Sequence, residues 1–143
     1  KITSVYDADT CKAVFYLNGE LIKYTLRLVG IDTPEIRPKK SSDNREEEII
    51  AAKRARNRFI QLCTNCELEI DKDISKKELQ KIIDKNTKII KLKCFEFDKY
   101  GRLLANILII GEFSETINVN EVLIKEGHGY NYDGGTKKKF TKK

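Results

Sequence analysis

The sequence predicts a single α+β domain, with about five strands curled into a small closed barrel and helices packed against it. Three observations carry this. Alternating apolar runs flank an Asn18-Gly19 hairpin signal, a long amphipathic segment follows, and a second pair of alternating runs meets at Asp98-Lys-Tyr-Gly101. The order is strands, helix, strands, helix, with neither repeat nor linker. At 143 residues, 40% apolar and 35% charged, the chain has core enough for one domain and is not a disordered composition. Its apolar runs fall short of the roughly 20 residues of a membrane span, so no membrane partner is expected.

Ile2 to Tyr6 reads as a short strand, broken by Asp7-Ala8-Asp9. Thr10 to Leu17 resumes it, with Cys11, Ala13, Phe15 and Leu17 on one face. Asn18-Gly19 suits a two-residue type I′ turn, which needs positive φ at both positions. Leu21 to Ile31 returns, with Ile22, Tyr24, Leu26 and Leu28 alternating with Lys23, Thr25 and Arg27, until Pro34 stops the ladder. After a basic loop from Pro38 to Asn44, Arg45 to Leu62 reads as a helix. Glu46, Glu47 and Glu48 fill its first turn, and Ile49, Ala52, Ala55, Phe59 and Leu62 form its buried stripe. Glu67 to Asp71 reads as another short strand. Ser75 and Glu78 form a capping box stapled by Ile74 and Leu79, so Lys76 to Lys85 is helical with Leu79, Ile82 and Ile83 inward. Thr87 to Phe97 and Arg102 to Ile110 are strands joined by the Asp98–Gly101 turn. Asn118-Val-Asn-Glu121 caps a last helix whose Val119, Val122 and Leu123 face the core, and Gly127 suits its end. His128 to Lys143 is expected to be irregular, with a flexible Lys-rich tail from about residue 136.

The formal net charge is +6, which points to a polyanionic partner. The last eight residues hold five Lys, and without them 23 basic residues face 22 acidic ones. The partner must therefore be read from particular residues. Cys63 and Cys66 are the only close pair among four cysteines, and His128 is the only histidine, which argues against a zinc site. Reduced thiols in an intracellular compartment are expected, with a Cys63–Cys66 disulfide as the alternative. With no Met and no signal-peptide pattern, the chain reads as a processed product or a piece of something longer.

Four acids and two arginines fall where strands end or turn: Asp7, Asp9, Asp32, Glu35, Arg27 and Arg102. Asp-x-Asp with a third Asp suits a hard cation bound through oxygen. An EF-hand is excluded, because Cys11 falls at a ligand position. A phosphodiester gathers negative charge in its transition state and requires a cation, bidentate donors and a positioned water. Arg, Asp, Glu and Arg at converging strand ends meet that requirement. The chain has neither a Gly-x-Ser-x-Gly elbow nor a Walker loop. Without a histidine in this set, Glu35 is the available general base.

Asp7-Ala-Asp9-Thr10, Arg27-Leu-Val-Gly-Ile-Asp32-Thr-Pro-Glu35, Asp98-Lys-Tyr-Gly-Arg102-Leu-Leu-Ala105 and Val119-Asn-Glu-Val-Leu-Ile-Lys-Glu-Gly127 occur in that order. Together they resemble the staphylococcal nuclease (thermonuclease-like) family over roughly Ile2 to Gly127. The resemblance implies an OB-fold five-stranded barrel. It implies a calcium-dependent nuclease that cuts DNA and RNA to 3′-phosphate products; single-stranded or unpaired substrate and a monomer are expected beside it. Asp9, Asp32 and the Thr33 carbonyl match the Ca²⁺ ligands, Glu35 the base that activates water, and Arg27 and Arg102 the phosphate-binding arginines. Lys99 and Tyr100 match contacts to a neighbouring phosphate. Tyr130 or Tyr132 is a candidate for stacking on a base, with ordinary packing as the alternative.

Ala8 stands where the family often has Gly, and a positive φ there would strain it. Residues 64–86 read as a helical insertion relative to compact members, more a packed decoration than a substrate gate. The competing reading is a catalytically inactive nucleic-acid- or protein-binding module. Against it, every acid and arginine of the pattern is present.

Overall fold

A computed structural model describes residues 1–135 and Phe140, so the expected flexible tail falls, Phe140 apart, outside the described residues. The elements run β1 (Ile2–Asp7), β2 (Thr10–Leu17), β3 (Glu20–Leu28), β4 (Ile31–Asp32), α1 (Arg45–Cys63), α2 (Lys76–Lys85), β5 (Lys91–Phe97), β6 (Leu103–Ile110), β7 (Thr116–Asn118), α3 (Val119–Lys125) and β8 (Tyr130–Asn131). The main sheet runs β1-β2-β3-β6-β5, with β7 added to β6. It curls as the half-barrel of an OB-fold, with β1 and β5 at the two ends of its path. All its pairs are antiparallel except β3 with β6, where Leu26, Arg27 and Leu28 lie beside Leu103, Leu104 and Ala105.

Local chemistry explains most elements. Asn18 and Gly19 both take positive φ, as the two-residue hairpin requires. The Ser75 hydroxyl accepts the Glu78 N–H at 3.2 Å and starts α2 where the cap pattern places it. Leu79 and Ile83 are buried in the common core, and Gln80 donates to the Thr3 carbonyl of β1 at 2.7 Å. Burying two such side chains contributes about 1.5–3 kcal/mol each, so the insertion is docked on the sheet.

Several expectations are corrected. Glu67 to Asp71 forms no strand. Its neighbourhood is tied down instead by α1 side chains: Asn57 Nδ2 donates to the Glu69, Ile70 and Lys72 carbonyls and Gln61 to that of Leu68. The strand expected from Thr87 starts only at Lys91, because Thr87 makes an isolated bridge to Thr64. The strand expected to run to Ile31 ends at Leu28, and the turn through Gly30 (φ 80°) separates β4 from it. The stripe of α1 holds at Ala52, Ala55 and Phe59 but widens to bury Glu48, Arg56, Asn57, Ile60 and Cys63, while Ile49 and Leu62 are only half-buried. In α3 the buried positions are Val119, Asn120 and Leu123, with Val122 only half-buried. The segment after His128 is not wholly irregular, since Tyr130 and Asn131 pair with Asp32 and Ile31. All four cysteines are free thiols, so the Cys63–Cys66 disulfide is not formed. Among the described residues, no helix is long and apolar enough to cross a membrane.

Asn120 fastens α3 to the β3–β6 junction. Its Nδ2 donates to the Val29 carbonyl and Asn106 Oδ1, each at 2.9 Å, and to the Ala105 carbonyl at 3.2 Å. Its Oδ1 accepts the Ile107 N–H at 3.3 Å. Asn120→Ala would strand these groups in the core and is expected to cost about 2–3 kcal/mol. A urea-unfolding midpoint unchanged from the parent would contradict that assignment.

Candidate active site

Five polar residues at converging strand ends are buried together: Asp7, Asp9, Arg27, Asp32 and Thr33. Thr10 and Arg27 are register partners, so Asp9, one residue before Thr10, ends its turn beside the end of β3. The chain then turns back through β4 and brings Asp32 and Thr33 to the same place. Arg27 Nη1 donates to the Leu28 and Ile31 carbonyls, both at 2.8 Å. Its Nη2 lies 3.4 Å from Asp9 Oδ2 and 3.3 Å from Asp32 Oδ1. The guanidinium therefore balances two buried carboxylates and closes the β3–β4 turn at once.

Each acid has a distinct surrounding. The Thr33 N–H donates to Asp9 Oδ2 at 3.1 Å and the Thr10 hydroxyl to Asp9 Oδ1 at 3.0 Å. The Tyr130 hydroxyl donates to Asp32 Oδ2 at 2.6 Å. This contact depends on the β4–β8 pairing, where a Cβ on Gly129 would sit 2.8 Å from the Asp32 carbonyl oxygen. Burial, the Asp9 charge and a hydrogen bond to Asp9 push Asp7 up to about 9. Burial acts against Asp9 too, but the Asp7 hydrogen bond, Arg27, the Thr33 N–H and the Thr10 hydroxyl outweigh it and hold Asp9 below its ordinary value. Ala8 is fully buried and does not adopt positive φ, so the strain considered for it is absent.

Glu35 is half-buried in the loop after β4, and its charge reaches both Asp7 and Glu48. Glu48 is a functional candidate that the sequence reading assigned only to the helix macrodipole. Burial raises its carboxyl, against the Glu35 backbone N–H that it accepts. The signal was available: Glu48 precedes Ala52, Ala55 and Phe59 at helical spacing and continues their buried stripe.

Lys99, Tyr100 and Arg102 form a second cluster at the β5–β6 turn. Asp98 Oδ1 accepts the Tyr100 and Arg102 N–H groups, both at 2.9 Å, and Asp98 Oδ2 accepts Arg102 Nε at 2.8 Å. Burial would raise Asp98, but these donors hold it below its ordinary value. The Tyr100 ring lies 5.4 Å from the Arg102 guanidinium and 5.2 Å from Lys99 Nζ. Arg102 precedes Leu104, the register partner of Arg27, by two residues and so shares its sheet face. One strand spacing and two residues of rise place the two arginine Cα atoms roughly 8 Å apart. The Tyr132 ring stands 5.8 Å from the Arg27 guanidinium, while its hydroxyl donates to the Gly135 carbonyl.

The donor set can be tested against a metal ion. Asp9, Asp32 and the Thr33 carbonyl are hard oxygen ligands of the kind Ca²⁺ takes. Thr33 Oγ1 beside them is buried without a partner, a polar atom awaiting one. Among the described residues no three acidic, His or Cys side chains form a ready metal cluster, because Arg27 lies between the two carboxylates. The residues fit Ca²⁺ in kind.

The Asp7 proton has a consequence for stability. The folded state keeps it between the ordinary 3.8 and about 9, whereas the unfolded chain releases it. This contribution is present at low pH and is lost as pH rises through that window. Asn retains the Oδ1 that accepts the Asp9 N–H at 3.3 Å and donates where the protonated acid does. Asp7→Asn is expected to raise the melting temperature above pH 7 and to flatten its fall with pH. An unchanged pH profile would contradict a buried, protonated Asp7.

No curated protein matches this chain significantly. The family model described as "Staphylococcal nuclease homologue" (SNase) matches residues 25–143, which include Arg27, Asp32, Thr33, Glu35 and Arg102. The match covers most of the chain, and the curled half-barrel with three helices agrees with that family's fold. The chain therefore belongs to the staphylococcal nuclease homologue family.

Proposed function

We propose that this protein is a calcium-dependent nuclease that hydrolyses phosphodiester bonds of DNA and RNA to 3′-phosphate products. The observation that carries the reading is the buried Asp9–Arg27–Asp32 group, with Glu35 near enough to act on the adjoining Asp7 and Arg102 on the same sheet face. The family's typical character as calcium-dependent nucleases supports it.

Each residue has a task in this scheme. Glu35 accepts the proton of the attacking water. Arg102 commits only Nε to Asp98, so its terminal N–H groups are the better placed to bind a phosphate bidentately. Arg27 spends its Nη1 and Nη2 groups on protein oxygens, so it chiefly holds the acids in place and gives the phosphate its field. Asp9, Asp32 and the Thr33 carbonyl are the groups that would hold Ca²⁺, whose charge, when bound, offsets that gathering on the phosphate. Tyr130 orients Asp32 through its hydroxyl, Tyr132 covers Arg27, and Lys99 with Tyr100 takes a neighbouring phosphate. Single-stranded substrate suits the exposed Tyr100, whose ring is open to a base.

One observation favours the second reading, an inactive nucleic-acid-binding module: the terminal N–H groups of Arg27 are turned to protein acceptors. The two readings part on mutation. A positioned base contributes about 10²–10⁴-fold and a transition-state donor about 10²–10³-fold. Glu35→Gln and Arg102→Ala are therefore each expected to lower calcium-supported turnover at least ~100-fold while leaving the unfolding midpoint near the parent's. Parent protein that binds single-stranded DNA without cutting it, or either variant cutting at the parental rate, would overturn the assignment.

A further inference from the structure

The register of β5 against β6 sets a row of exposed side chains on its outer face that the proposed chemistry does not use, while Cys94 and Phe97 are exposed on the other. Leu92, Cys94 and Phe97 oppose Ile107, Ala105 and Leu103, which are buried, so these three share the core side. Lys91 and Lys93 oppose Leu108 and Asn106 on the outer side. The pairing slips between Cys94 and Phe97, which sets Phe95 and Glu96 against Leu104. Lys93 Nζ lies 5.7 Å from the Phe95 ring, so Phe95 joins the outer face. Leu104 is in turn the partner of Arg27. Phe95 thus stands two strands from Arg27 in one cross-strand row, roughly 10 Å away.

We propose that Lys91, Lys93 and Phe95 form a second contact site for single-stranded nucleic acid, with a base stacked on Phe95 and phosphates paired with the lysines. Phe95 is 45% exposed, and both lysines are exposed. A solitary exposed ring is ordinary. This one carries Lys93 over it, has Lys91 two residues before that lysine, and continues the row that starts at Arg27. Aromatic faces interleaved with cations bind single strands without regard to sequence, because every base has a π-face. Glu96 is the one acid in the bulge and sets a limit on how closely a phosphate approaches there. The site makes a long single strand, rather than a dinucleotide, the favoured substrate class. It rests on the nucleic-acid reading above, not on cleavage.

Fluorescence anisotropy in chelator, with oligothymidylates of about 2 and about 12 nucleotides, tests this without turnover. Phe95→Ala is expected to weaken the long ligand roughly 10-fold and leave the short one unchanged. Phe95→Leu, which keeps apolar bulk, should lose the same stacking and guards against a folding defect. Lys91→Gln with Lys93→Gln should reduce the slope of log K against log salt by about 1.4. Parent protein that binds neither ligand would sink the nucleic-acid reading itself. Parent protein that binds the long ligand, with all variants equal to it, would overturn this site alone. A parental dimer that Phe95→Ala dissolves would also overturn it, by assigning the β5 edge to a second copy.

Discussion

Arg27 lies buried between Asp9 and Asp32, and the remaining geometry of the site follows from that contact. Two carboxylates taken out of water need a counter-charge and further donors, or they would not stay ionised. Arg27 supplies the charge, and Thr10, Thr33 and Tyr130 supply the donors. The same guanidinium binds the Leu28 and Ile31 carbonyls, so the charge balance also fixes the turn that delivers Asp32 and Thr33. Asp7 is left as the surplus acid and keeps its proton.

The sheet brings the second half of the site to the first. A parallel pairing of β3 with β6 sets Arg102 on the same face as Arg27, and antiparallel β5 and β6 carry the Asp98 turn to that end. Asn120 fastens α3 across the junction, and the chain leaving α3 returns as β8 to place Tyr130 on Asp32 and Tyr132 on Arg27. Four separated stretches of chain, around Asp9, Arg27 to Glu35, Asp98 to Arg102 and Tyr130 to Tyr132, thus converge on one group of charges. Arg102 is the more exposed cation of that group, and Arg27 lies buried behind it.

What could be read from the sequence was what short-range chemistry specifies. Asn18-Gly19, the Ser75 cap and the Asp98 turn each depend on neighbours within a few residues, and each forms where expected. Asp9, Arg27, Asp32, Glu35 and Arg102 were recognisable as a pattern of charges at strand ends. Their pairing was not, because Asp9 meets Thr33 across 24 residues and Asp32 meets Tyr130 across 98. Burial of polar groups was also hidden. Glu48, Asn57 and Asn120 look like surface residues until the carbonyls and amides they satisfy are known. The Glu67–Asp71 segment has strand-like residues, yet Asn57 claims its carbonyls first.

The central claim is that this arrangement cuts a phosphodiester rather than merely holding it. End-group analysis of single-stranded DNA incubated with the protein, in calcium and then in chelator, tests it most directly. The account predicts fragments ending in 3′-phosphate that form only with calcium. Intact DNA in calcium, or cleavage that persists in chelator, would contradict it.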